Sequence, residues 1–82
     1  MILLIATRAM DYVETVRAVA RSLDLLKPDG SLAEMDSLKA VDLVVELEES
    51  TRISIPAHAL RRETFSSLET IAALLRELAK TD

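Results

Sequence analysis

Few side chains in this sequence could do chemistry. Ser37 stands in Met35-Asp36-Ser37-Leu38, Ser66 lies three residues before Glu69, and His58 is the single histidine. A serine becomes a nucleophile when a base sits beside it, usually a histidine oriented by a third group. The chain offers no paired histidine and no cysteine, and its one glycine cannot make a Gly-x-Ser-x-Gly elbow. No catalytic dyad follows from these parts. His58 reads as a surface histidine in a short helix, and Ser66 as a helix cap. The acid-rich run lacks the glycine and alternating oxygen ligands of a calcium loop, so no metal site is expected. A small enzyme is therefore a weak reading, and a helical protein-interaction module a stronger one.

The acids point instead to recognition. Glu34, Asp36, Asp42, Glu46, Glu48 and Glu49 stand against Lys39 alone, so residues 34–49 carry −5 in a chain whose net charge is −4. The remainder therefore sums to +1, and the acidity is local. At about 100° per residue, Ala40, Leu43, Val44 and Leu47 cluster into a core stripe. Leu38 and Val45 fall almost opposite, with Asp42 and Glu49 among them and Glu46 beside them. Such a face suits docking: aliphatic contacts give affinity, and acids steer toward basic partners.

The elements that must position these groups are helices. Ile5, Ala9, Tyr12, Val13, Val16, Val19, Ala20 and Leu23 share one face at i, i+3, i+4 spacing. That helix should stop before Pro28, and Lys27-Pro28-Asp29-Gly30-Ser31 is the strongest turn signal in the chain. A loop should run from there to about Asp36. The second helix should begin at Asp36 or Ser37, both good N-caps, and end near Ser50. Ile53-Ser54-Ile55-Pro56 alternates like a short extended segment, and residues 57–62 have room for one or two helical turns. Leu68, Ile71, Ala72, Leu75 and Leu78 mark the last helix, whose start a Ser66/Glu69 capping box would set. The expected fold is all-α: three main helices, one short helix and a long loop after the first.

Composition bounds the rest. Eighty-two residues and 9.1 kDa fit a single domain over residues 1–82. Half the residues are hydrophobic and 2% aromatic, so the core must be aliphatic. Without cysteine there is no disulfide, no zinc-thiolate site and no thiol of the chain's own. One glycine and two prolines leave too little turn material for a small β-sandwich or barrel. The acidic balance and two aromatics speak against nucleic acid as a partner. Met1-Ile2-Leu3-Leu4-Ile5 is far shorter than the ~20 apolar residues of a membrane span. Arg8 follows that run instead of preceding it, unlike a signal peptide. These five residues are expected to be helix or helix lead-in on the core, and the protein a cytoplasmic monomer without membrane contact.

Asp36-Ser37-Leu38 at a helix start, Glu46-Leu47-Glu48-Glu49 about ten residues on, Ile55-Pro56, and Phe65-Ser66-Ser67-Leu68 before the last helix form a series. In that order and spacing the chain resembles the acyl carrier proteins of the phosphopantetheine-binding family. The similarity covers nearly the whole chain and is weakest over the first helix. It implies a four-helix bundle with a covalent 4′-phosphopantetheine on Ser37, attached from coenzyme A by a separate phosphopantetheinyl transferase. Asp36 and Leu38 would belong to the surface the transferase reads. The arm would carry acyl groups as thioesters between enzymes such as an acyltransferase, a ketosynthase or a loading ligase. Aminoacyl or peptidyl cargo is the alternative.

The resemblance also implies that Leu38, Asp42, Val45, Glu46, Glu48 and Glu49 face partner enzymes. Ala40, Leu43, Val44, Leu47, Ile55, Leu68, Ile71 and Leu75 would line the core. Some positions depart from the family pattern. Ala33-Glu34 stands where Leu-Gly is usual, the loop before Asp36 is short, Lys39 replaces a common acid, and Arg61 and Arg62 put positive charge in the short helix. Those cations near the docking face would select against a generic basic partner. The expectation is a specialised carrier, with polyketide or related natural-product assembly as its setting.

Overall fold

The computed structural model describes residues 11–80. The expectations for residues 1–5, and for Ile5 and Ala9 on the first helical face, lie outside the described residues.

Helix α1 spans Tyr12–Ser22. Asp11 caps it: its carboxylate accepts the N–H groups of Val13 at 3.1 Å and Glu14 at 3.4 Å, which the first turn leaves unpaired. Glu14 and Arg17 pair on its outer side, while Val16, Val19 and Ala20 are buried. The helix ends five residues before Pro28 would require. The cause is a left-handed closure at Asp24, with φ 61°. The Asp24 N–H reaches the Arg21 carbonyl and the Leu25 N–H reaches the Ala20 carbonyl, at 3.1 and 2.8 Å. That is the Schellman pattern of satisfying terminal carbonyls. Leu23 is therefore the C-cap, and its side chain still packs, partly buried, against the core.

The loop that follows is anchored, not loose. Leu25 and Leu32 are both buried in the core. Leu26 and Leu32 form one antiparallel bridge, and the Ala33 N–H donates to the Leu25 carbonyl at 2.7 Å. At its tip Gly30 has φ +88°, a region glycine enters freely. The Asp29 carboxylate accepts the Ser31 N–H and hydroxyl at 3.0 and 2.6 Å. The Ser31 hydroxyl first, and then its N–H, hold the Asp29 carboxyl below its ordinary value of 3.8.

Helix α2 spans Ser37–Thr51. Leu43, Val44 and Leu47 are buried as the stripe predicts, and Ala40 is half-buried. The helix stops at Arg52, which takes a left-handed φ of 62° and returns its N–H to the Glu48 carbonyl at 2.9 Å. Ile53 and Ile55 then point inward and Ser54 outward, the alternation of an extended segment.

The expected single short helix is instead two 3-10 segments, Ala57–Ala59 and Arg62–Ser66. Leu60, at ψ 76°, breaks the run between them, and the Thr64 hydroxyl reaches back to the Ala59 carbonyl at 2.8 Å. Helix α3 spans Leu68–Lys80. Its cap is Ser67, not Ser66. The Ser66 hydroxyl is turned to the Glu63 carbonyl at 2.8 Å, closing the second 3-10 segment. Ser67 accepts the Thr70 N–H on its hydroxyl at 3.1 Å and gives its own N–H to the Thr70 hydroxyl at 3.0 Å. This reciprocal box replaces the predicted Ser66/Glu69 pair.

Helix α1 packs against both α2 and α3, and the second 3-10 segment packs against α3. Val16, Leu43, Leu47, Ile71 and Leu75 form the fully buried centre. The fold is an all-α bundle, and no described helix is long and apolar enough to cross a membrane.

Candidate functional site

The site is built at the start of α2. The Asp36 carboxylate accepts the Lys39 N–H at 2.9 Å, and its carbonyl accepts the Ala40 N–H at 3.0 Å. Asp36 is thus the cap, which leaves Ser37 as the first helical residue. Ser37 is exposed, and no described residue takes its hydroxyl. It opens onto a groove of about 640 Å³. Leu32, Met35, Ala40, Leu60 and Phe65 supply apolar lining, and Glu34, Asp36, Arg61 and Arg62 supply charge. A cavity of this size falls within the range of small-ligand sites.

The outer face of α2 carries Leu38, 72% exposed, and Val45, 46% exposed, as predicted. Val41, 55% exposed, joins them and went unread in the sequence. Its signal was available, because on the ~100° wheel it lies only ~40° from Val45. Asp42, Glu46, Glu49 and Lys39 are exposed along one side of this aliphatic stripe. Glu48 is different. It is half-buried, and its carboxylate accepts the Ile55 N–H at 2.7 Å. Its charge ties the helix to the following segment, a contact that Asp42, Glu46 and Glu49 do not make. Arg61 and Arg62 are exposed and line the groove with Ser37, whereas Asp42, Glu46 and Glu49 do not. His58 is exposed on the first 3-10 segment. Among the described residues no three His, Asp or Glu side chains gather to hold a metal ion.

An unpartnered hydroxyl at a helix start, a groove beside it and an apolar stripe edged with acids characterise this part of the molecule. A comparison with family models identifies the family. The model for the phosphopantetheine attachment site matches residues 13–78, and the chain belongs to that family. It is a phosphopantetheine-bearing carrier protein of the acyl-carrier type, and such domains are carriers, not catalysts. No curated protein and no solved structure matches the chain.

The domain is the site of covalent 4′-phosphopantetheine attachment, and the residues at the start of α2 fit that group. A phosphodiester needs an accessible hydroxyl, and free backbone N–H groups in a first helical turn favour the phosphate. Carrier proteins of this kind engage phosphopantetheinyl transferases and biosynthetic enzymes.

Proposed function

We propose that Ser37 bears the 4′-phosphopantetheine arm and that the protein shuttles thioester-linked acyl groups between the enzymes of a polyketide or related natural-product assembly. The observation that carries the first part is the exposed, unpartnered Ser37 hydroxyl at the first position of α2. In the attachment reaction Ser37 Oγ loses its proton and forms the new bond to phosphorus. The pyrophosphate bond of coenzyme A breaks, and its nucleotide half leaves. When bound, the arm supplies the thiol that the polypeptide lacks.

The protein's own residues then do three things. Asp36 holds the first turn of α2 closed, so Ser37 is presented at a fixed place. Leu38, Val41 and Val45 offer aliphatic contact to a partner enzyme. Asp42, Glu46 and Glu49 draw in its basic surface, an effect on encounter rate that salt weakens. Lys39, Arg61 and Arg62 support the choice of pathway, because they oppose docking on a partner adapted to a wholly acidic carrier. A cytoplasmic location suits this role.

Intact-protein mass spectrometry tests the reading. Incubation with coenzyme A, magnesium and a promiscuous phosphopantetheinyl transferase should add the mass of one phosphopantetheine to the wild type and nothing to Ser37→Ala. A gain that persists in Ser37→Ala would overturn the assignment. Loading with acyl and aminoacyl donors then separates the two cargo classes. Service to a housekeeping fatty-acid synthase at the rate of a standard carrier would overturn the pathway.

A further inference from the structure

The charges around Ser37 pose a problem for any phosphate placed there. Its immediate neighbour Asp36 keeps a carboxylate at the same helix end, hydrogen-bonded to the Lys39 N–H, and Glu34 lines the same groove. A phosphodiester adds a further negative charge beside them, and like charges this close repel. Lys39 gives little relief, since it lies ~160° around α2 from Ser37. The cations that share the groove with Ser37 are Arg61 and Arg62. Both are exposed, and neither is in an ion pair with a described acid. An arginine presents a rigid fork of N–H donors that matches the oxygens of a phosphate.

We propose that Arg61 and Arg62 hold the phosphodiester of the arm on Ser37, and so lay the arm along the groove toward the 3-10 segments instead of over the aliphatic stripe of α2. This rests on Ser37 as the attachment residue. Ser37 brings the anion to one part of the groove by a covalent bond, and the arginines face the same space from the second 3-10 segment and the residue before it. The pair is accessible to water, so its hold is electrostatic and sensitive to salt. With the phosphodiester held on this side, Leu38, Val41 and Val45 stay uncovered for a partner enzyme.

The test uses the whole chain before and after conversion by transferase and coenzyme A, with mass spectrometry to confirm each product. In wild type, conversion should shift the backbone amide signals of residues 61–65 and the Nε–H signals of both arginines. The double variant Arg61→Gln with Arg62→Gln should still gain the arm, lose the amide shifts at residues 62–65, and show a narrower phosphorus-31 line. Arg61→Lys with Arg62→Lys, which keeps the charge but not the fork, should retain part of them. Added salt should reverse the wild-type shifts.

Shifts confined to the first turn of α2 would overturn the proposal, as would equal shifts at residues 62–65 in the Gln variant. If the pair serves only transferase recognition, the Gln variant will load slowly and then show the wild-type shifts, which also overturns it. A failure of Ser37 as the attachment residue reads differently, as no gain of mass in wild type.

Discussion

At its C-terminal end α2 is tied from several directions. Thr51 is buried, gives its hydroxyl to the Leu47 carbonyl at 2.7 Å and accepts the Ile53 N–H at 3.2 Å. Glu48 reaches across to the Ile55 N–H, and Ile53 and Ile55 sink into the core. At its N-terminal end a single carboxylate, that of Asp36, closes the turn, and Ser37, Leu38 and Lys39 all lie in solvent. Glu48 and Thr51 at the closed end have partners inside the molecule. At the open end the Ser37 hydroxyl has no partner among the described residues. A carrier needs both, because a group handed from enzyme to enzyme must be accessible while the element beneath it stays put.

Mutations should separate the two ends. The largest effect belongs to the closed half: Leu47→Ala opens a cavity in the fully buried centre and should cost about 3 kcal/mol. That is a large share of the about 5–10 kcal/mol that holds a small domain together, and denaturant titration would register it. Glu48→Ala should cost about 2 kcal/mol, because the partly buried Ile55 N–H loses a charged acceptor. If this variant is as stable as wild type and impaired only toward partner enzymes, Glu48 belongs to the open face and the contrast fails. Ser37→Ala should stay within about 0.5 kcal/mol of wild type while losing all capacity for the arm.

The smallest effect lies away from α2, at the loop tip. Folding lowers the Asp29 carboxyl, chiefly through the Ser31 hydroxyl. Its contribution is therefore present above the ordinary carboxylate range and lost as pH falls through the folded value. The stability difference between wild type and Asp29→Ala should shrink on acidification below about pH 4. A difference constant from pH 7 to pH 2 would remove the charged carboxylate from the explanation.

The sequence made α2 legible at both ends, because a capping aspartate and a stripe of four apolar positions each leave a local signature. The exposed face was legible in part: Leu38 and Val45 were evident, while Val41 needed the full wheel. Other features are set by tertiary geometry. Nothing local says that Leu25 and Leu32 plug the core from within a loop, since no periodic pattern surrounds them. Two adjacent serines, Ser66 and Ser67, could each cap α3. The choice fell to Ser67 because the 3-10 segment had already claimed the Ser66 hydroxyl. Glu48 looked like its acidic neighbours, and only the return of the chain at Ile55 gives it a different task. The approach of Arg61 and Arg62 to the groove of Ser37 is likewise a matter of how the segment after Pro56 folds back.

The bridge between Leu26 and Leu32 divides the loop into two parts with different freedom to change over evolutionary time. The tip beyond it, residues 27–31, hangs outside the core, and the space around Gly30 is open. Residues gained or lost there alter an excursion whose feet stay fixed. The stretch from Leu32 to Ser37 has no such slack. It starts at a buried leucine and ends at the serine, so its count of residues acts as a ruler. Related chains should therefore vary in length at 27–31 and hold the interval 32–37 constant.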